Sequence, residues 1–143
     1  MKVLLVDQIA KVNYKYTFPL ANGLKKAGAD VVLVIDQKAE KENCQCERVN
    51  LFNTDEKDIG KTQKMQNYIA SYKKIGKMLE DGHYDVLHTE WYTFSPLDYF
   101  FLKKFKRKHK IKYVATVHDI LPFNEKFYDM YFHLSLIHIS EPT

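Results

Sequence analysis

The most constraining feature of this sequence is a pair of short apolar segments that each run directly into a polar cluster. The first is YDVLHTEW, which starts at Tyr84, and the second is YVATVHDILP, which ends at Pro122. One helical segment separates them, which is the spacing of a right-handed crossover between neighbouring parallel strands. Ligands of open parallel sheets bind beyond the carboxyl ends of the strands. The sequence therefore predicts a site where the two polar clusters meet.

The rest of the chain alternates between strand and helix patterns. Continuous apolar runs predict strands over residues 3–6, 31–35, 48–52, 86–88 and 113–117. Apolar residues at spacings of three and four predict helices over 19–27 and 65–79, and Ser95, Pro96 and Asp98 mark the start of a third helix. Residues 7–17 show no helical period and are predicted to be a loop that ends at Thr17, the start signal of the first helix. This alternation predicts an α/β fold with a parallel sheet flanked by helices.

Length and composition indicate one domain in a reducing compartment. A chain of 143 residues is the length of a single domain, and it carries a formal charge of +4. Cys44 and Cys46 are too close in sequence to join distant parts of a fold. The first strand begins at Lys2, which leaves no room for a signal peptide, and no apolar run approaches the ~20 residues of a membrane span. We therefore expect a cytoplasmic protein.

The last ten residues form a separate case. LSLIHISEPT, residues 134–143, reads like the translation of a transposon-type sequencing adapter. We therefore predict that residues 1–133 are an incomplete domain and that residues 134–143 are a non-native tail.

Several common α/β classes are excluded by their missing motifs. The loop after the first strand has neither G-x-G-x-x-G nor G-x-x-x-x-G-K-[ST], which argues against a dinucleotide fingerprint and a P-loop. A receiver domain needs an acidic cluster after strand one, an Asp after strand three and a Lys after strand five, whereas here Asp7 stands alone and the later positions offer Asn53 and then His118 and Asp119. No D-x-D pair is present, and we predict no metal site and no cofactor.

The two polar clusters supply the candidate functional residues. Imidazole titrates near pH 6.5, so a histidine at the end of a strand can donate to an anionic oxygen or a sugar hydroxyl. His118 is better placed than His88, although either ring could simply form local hydrogen bonds. Glu90 could accept a substrate hydroxyl, or it could be an ordinary exposed acid. Trp91 could stack on a sugar, or it could pack.

A basic run, LKKFKRKHKIK, has two open interpretations. Its cationic residues are Lys103, Lys104, Lys106, Arg107, Lys108 and Lys110, followed by Lys112. They could hold the protein on the inner face of an anionic membrane, or they could be the solvated face of a helix. No base-reading or stacking motif accompanies them, so we expect no nucleic-acid partner.

DVLH, TVHDILP and PLANGLKKAGADVVLV together resemble the N-terminal, acceptor-side domain of family 4 glycosyltransferases, which have the GT-B fold. The resemblance covers residues 1–130 and implies a Rossmann-like domain that forms half of an interdomain cleft. It also implies retaining transfer of a sugar from a nucleotide-sugar donor to a glycan or lipid-linked acceptor.

The resemblance assigns roles residue by residue. His118 is the catalytic candidate near the donor sugar, with Asp119 beside it, and Glu90 replaces the second His of the family's frequent H-x-H. Residues after the first strand line the cleft in this family, which assigns substrate binding to Gln8, Asn13, Tyr14 and Lys15. The family's nucleotide-binding Glu motif belongs to a C-terminal domain, so residues 1–133 are expected to be inactive alone. The alternative is a non-catalytic module that docks on anionic membrane or partner surfaces through the basic helix.

Overall fold

The computed structural model describes residues 1–37, 44–53, 57–118 and 134–138. The elements, in chain order, are β1 (Lys2–Asp7), α1 (Ala10–Lys26), β2 (Asp30–Asp36), β3 (Glu47–Phe52), α2 (Lys61–Gly82), β4 (Val86–Thr89), α3 (Ser95–Lys108) and β5 (Lys112–Ala115). The described helices include none that is both long enough and apolar enough to span a bilayer.

The strands form one five-stranded sheet in the order β3-β2-β1-β4-β5. All four pairings are parallel, and β4 lies directly beside β5. The chain therefore winds outward from β1 to β3 and then returns to the other side of β1. This reversal leaves a crevice at the carboxyl ends of β1 and β4. The predicted Rossmann-like α/β fold with a parallel sheet is confirmed.

Each central strand is buried on both faces, which explains its unbroken apolar sequence. Val3 and Leu5 pack into the core cluster beneath α1, whereas Leu4 and Val6 face the larger cluster with α2 and α3. In β4, Val86 faces the α1 side and Leu87 faces the α2 and α3 side. The pleat therefore directs His88 and Glu90 to the α1 side of the sheet.

The start of α1 corrects the sequence prediction. The helix begins at Ala10, so most of the predicted loop over residues 7–17 is helical. Two acids at strand ends cap it, because Asp7 accepts the backbone N–H of Ile9 and Asp36 accepts that of Lys11. These caps come from tertiary structure rather than from a local motif. Thr17, predicted as the start signal, lies inside the helix and donates its hydroxyl to Asp7.

The other two long helices agree closely with prediction. α2 ends at Gly82, and His83 follows in the left-handed conformation with φ 49°. α3 begins at Ser95, but its N-cap is Phe94 and the acid of its first turn, Asp98, is fully buried. Asp98 accepts the backbone N–H of Phe94 and so closes the start of the helix.

The proposed tail is described only over residues 134–138. These residues are helical, and Leu136 is fully buried in the core cluster with α2 and α3. Their origin stays a prediction.

Candidate functional site

The candidate site lies where the backbone pairing of β1, β4 and β5 continues past the assigned strands. The N–H of Glu90 donates to Val6 O at 2.9 Å, and the N–H of Thr116 donates to Thr89 O at 2.9 Å. These two bonds hold the segments after β4 and β5 in register. Side chains from both polar clusters therefore reach the same edge of the sheet, as the sequence predicted.

Glu90 is the centre of this edge. Its side chain is 0% exposed, yet both of its oxygens lie beside imidazole nitrogens. Oε1 is 3.3 Å from His88 Nε2, and Oε2 is 3.4 Å from His118 Nε2. Thr116 donates its hydroxyl to Oε1 at 3.2 Å, whereas Oε2 has no hydrogen-bond partner among the described residues. A buried oxygen without a donor is costly, which marks this position as unusual.

His88 is the more buried of the two histidines. Its side chain is 13% exposed, and desolvation lowers the pKa of His88 from 6.5 to about 4. The ring is therefore neutral at pH 7. Its Nε2 lies 2.8 Å from Thr116 Oγ1, and because Thr116 donates to Glu90, that hydroxyl oxygen accepts from His88 Nε2–H. The result is a chain of donors from His88 through Thr116 to Glu90.

His118 lies at the open side of the cluster. Its side chain is 22% exposed. The ring of Tyr16 meets it edge-on with centroids 5.0 Å apart, and the ring of Trp91 lies 5.2 Å away on a tilted plane. Of the two described histidines beside Glu90, His118 is thus the one with more access to solvent.

Tyr16 is the contact that sequence reasoning missed. It lies in the second turn of α1, 46% exposed, and it reaches His118 only because that helix starts at Ala10. To find this contact from the sequence, one would need to know that α1 starts earlier than its local pattern indicates. The two acids that cap this start, Asp7 and Asp36, lie at the ends of β1 and β2. No local pattern around Tyr16 could have indicated this contact.

Three acids whose pKa values are raised lie at this edge of the sheet. Burial raises the pKa of Glu90, and the nearby carboxylate of Asp7 raises it further. Burial also raises the pKa of Asp7, although hydrogen bonds from Thr17, Ile9 N–H and Asn13 oppose this. Asp7 in turn raises the pKa of Asp36, for which burial is again the main cause. Three acids thus line the ends of β2, β1 and β4.

Gln8 belongs to a second buried cluster on the other side of the sheet. Its amide nitrogen donates to Asp98 Oδ1 at 2.8 Å and to the Tyr72 hydroxyl at 2.9 Å. Its Oε1 accepts the backbone N–H of Thr93 at 2.9 Å. Tyr68 and Tyr72 both donate to Asp98 Oδ1, Tyr68 at 2.5 Å. Gln8 therefore ties the end of β1 to the segment between Glu90 and α3.

The other predicted first-loop residues lie on α1. Asn13 donates to Asp7 Oδ2 at 3.3 Å and to Thr17 at 3.2 Å. Tyr14 packs toward Phe18 in the core cluster beneath α1, and Lys15 is exposed. Their substrate-binding roles stay predictions. Asp119 lies outside the described residues.

The predicted basic surface lies on α3, away from this cluster. A shallow depression there is lined by Tyr99, Phe100, Lys103, Lys104, Arg107 and Lys108. The Phe100 side chain is 59% exposed. Beside it, Lys103 Nζ donates a hydrogen bond to the Tyr99 hydroxyl at 2.7 Å. Lys108 forms an ion pair with Glu80 of α2. An exposed aromatic ring thus sits among cations, a feature that the sequence alone did not indicate.

Comparisons with known proteins point to one family. A family model described as glycosyl transferase 4-like matches residues 2–140. A search of curated proteins found no match. Among the described residues, no group of three or more His, Cys, Asp or Glu side chains is placed to hold a metal ion.

Proposed function

Because this chain belongs to the glycosyl transferase 4-like family, we propose that residues 1–133 form the acceptor-side half of a cleft in which a nucleotide-sugar donor gives its sugar to a glycan or lipid-linked acceptor. The family itself implies glycosyl transfer. The observation that supports this finer reading is the meeting of His118, Glu90 and Trp91 at the crevice beside β4. Ligands of parallel sheets bind at such a crevice.

The proposed reaction is a retaining substitution at the anomeric carbon. An oxygen of the acceptor forms the new bond to that carbon while the bond from the carbon to the donor phosphate breaks. The acceptor's hydroxyl proton leaves with the departing phosphate, so the atoms and charges balance. Neither a metal ion nor a cofactor enters these steps, and the donor is a co-substrate.

His118 is the catalytic residue in this proposal. Its ring is the partly exposed one, so it can donate a hydrogen bond to the donor sugar or to the phosphate oxygen on which charge develops. Trp91 is within reach of a sugar ring stacked beside His118. Asp119 follows His118 directly in the chain and is assigned to the same substrate pocket.

The first turn of α1 contributes differently from what the family pattern suggests. Family members commonly bring glycine backbone close to the donor phosphate there, but here Asp7 and Asp36 occupy backbone donors of that turn. An anionic phosphate would be repelled by these acids. We therefore place the phosphate nearer His118 than the start of α1. Asn13, Tyr14 and Lys15 shape the wall of the cleft, and Gln8 acts by holding the segment that follows Glu90.

The test uses an enzyme in which residues 1–133 are continued by a donor-binding domain. His118→Ala should lower turnover roughly 100- to 1,000-fold, as expected for losing one preorganised donor to developing charge. His109→Ala, which removes a ring at the end of α3, is the matched control and should leave turnover unchanged. Residues 1–133 alone should transfer no sugar. Unchanged turnover in His118→Ala would remove His118 from the proposal.

The basic surface on α3 supports a second candidate, docking on an anionic membrane. Phe100 can insert among lipid chains while Lys103, Lys104 and Arg107 meet the headgroups, and each surface cation contributes about 1 kcal/mol in such contacts. The same surface could serve a non-catalytic module, or it could localise the transferase to the inner face of the membrane.

Vesicle co-sedimentation tests this candidate. Changing Lys103, Lys104 and Lys106 to Gln should abolish binding to vesicles rich in phosphatidylserine, and added salt should weaken the wild-type binding. The matched control changes Lys73, Lys74 and Lys77, three lysines of α2, and should retain the binding. Equal losses in both triple variants would indicate net charge alone and contradict a docking site on α3.

A further inference from the structure

Glu90 touches both histidines but is itself closed to solvent. Its side chain is 0% exposed, so a substrate cannot reach it while the His118 ring stays in place. We infer that Glu90 is a positioning residue that acts through His118: its Oε2 lies 3.4 Å from His118 Nε2 and fixes which ring nitrogen faces the cleft. The sequence had indicated a direct substrate contact for Glu90, and the burial argues for an indirect one.

Charge balance supports the pairing. A buried carboxylate needs a donor or a cation for each oxygen, and Thr116 serves only Oε1. The described titratable groups that face Glu90 are Asp7 from β1, His88 from β4 and His118 from the segment after β5. Asp7 cannot compensate a negative charge, and His88 is neutral at pH 7. Of these groups, His118 is the one that can supply a donor to Oε2, because its Nε2 lies 3.4 Å from that oxygen.

Geometry supports a fixed ring. The Tyr16 and Trp91 rings lie 5.0 and 5.2 Å from the His118 imidazole, centroid to centroid, and Nε2 of that imidazole lies 3.4 Å from Glu90 Oε2. Because Nε2 is the ring nitrogen beside Glu90, Nδ1 is left for a ligand in the cleft. An imidazole held in this way presents one defined N–H to a ligand, as carboxylate–imidazole pairs do in other sites.

The consequence for catalysis rests on the proposed function, but the pairing itself does not. If His118 donates to the leaving phosphate, Glu90 sets the direction of that donation. A test on the 143-residue chain alone can examine the pairing without any transfer reaction.

Trp91 provides the signal for that test. It is the single tryptophan of the chain, and its ring lies against His118. Indole emission depends on the contact that a neighbouring imidazole makes with it, so Trp91 emission at pH 7 reports how the His118 ring is held. In Glu90→Gln the Trp91 emission at pH 7 should differ from that of the wild type, because the carboxylate beside His118 Nε2 is lost.

Three further variants make the result decisive. His118→Gln should give the same emission with and without Glu90→Gln, because no imidazole remains to be positioned, and His109→Gln should leave the emission at the wild-type value. Glu90→Asp, which keeps the charge but shortens the reach, should give an intermediate change and serves if Glu90→Gln fails to fold by circular dichroism. Trp91 emission that changes in His118→Gln but stays at the wild-type value in both Glu90 variants would overturn the pairing. The expected emission changes without any sugar transfer in the longer enzyme would instead overturn the proposed function.

Discussion

Two fully buried carboxylates lie near the same edge of the sheet, on opposite faces, and their surroundings differ sharply. Asp98 accepts hydrogen bonds from Tyr68, Tyr72, Gln8 and the backbone of Phe94. Glu90 accepts one from Thr116, and its second oxygen has only the His118 ring beside it among the described residues. One acid is saturated with donors and the other is left open.

The difference leads us to expect a structural role for Asp98 and a role in the site for Glu90. A saturated network rigidifies the elements that supply its donors, here the end of β1, α2 and the start of α3. An open carboxylate in a buried position costs stability and persists where a site needs it. The comparison therefore predicts that removing Asp98 harms the fold, whereas removing the charge of Glu90 harms the site.

The largest expected effect is that of Asp98→Ala. It would leave two tyrosine hydroxyls and the Gln8 amide buried without an acceptor, which should lower the free energy of unfolding by about 3–5 kcal/mol. Urea denaturation at pH 7 measures the loss. Asp81→Ala, at the exposed end of α2, is the matched control and should stay within about 0.5 kcal/mol of wild type. A loss below 1 kcal/mol for Asp98→Ala would mean that Asp98 is not a structural acid.

The second effect depends on pH and arises at His88. Burial lowers the pKa of His88 from 6.5 to about 4, so the folded protein binds fewer protons than the unfolded chain between these values. The stability linked to His88 is therefore present above pH 6.5 and lost as the pH falls toward 4. Relative to His88→Gln, the wild type should lose roughly 3 kcal/mol between pH 7 and pH 4, as urea denaturation at both pH values would show.

Asp98 gives the opposite slope and serves as the control for that experiment. Burial raises the pKa of Asp98 from 3.8 to about 6, although its four hydrogen bonds oppose the rise. The stability linked to Asp98 is therefore present below pH 3.8 and lost as the pH rises through 6. Relative to Asp98→Asn, the wild type should gain roughly 2 kcal/mol between pH 7 and pH 4. If the stability difference between wild type and variant changed with pH in the same direction for His88→Gln and for Asp98→Asn, a group other than these two would dominate the pH dependence.

Local patterns were sufficient for the framework of the fold. Unbroken apolar runs such as Val31 to Ile35 predicted buried parallel strands, and the stripe of α2 predicted a helix that closes at Gly82. The crossover spacing between β4 and β5 correctly placed His88 and His118 at one edge. These features depend on residues that are close in sequence, which is why a single sequence carries them.

The contacts that define the site depend on residues distant in sequence. The early start of α1 depends on Asp36, 25 residues from the backbone N–H of Lys11 that it caps. Asp98 resembled an ordinary first-turn acid, because nothing near it indicates that Gln8, 90 residues away, would bury it. Glu90 resembled an exposed loop acid for the same reason. Tertiary structure overrode local pattern at each of these positions.

The smallest expected effect is on the stability of Glu90→Gln. The amide oxygen can still accept the Thr116 hydroxyl, while the change removes a buried charge beside Asp7. Glu90→Gln removes the cost of burying the carboxylate charge, and this gain offsets the lost attraction to His118. The free energy of unfolding at pH 7 should therefore change by less than about 1 kcal/mol. Urea denaturation beside Asp98→Asn gives the direct comparison. A loss as large as that of Asp98→Ala would mean that Glu90 is a structural acid after all. A small change, together with a changed Trp91 emission, would separate the two roles in one variant, because the fold would hold while the placement of the His118 ring changed.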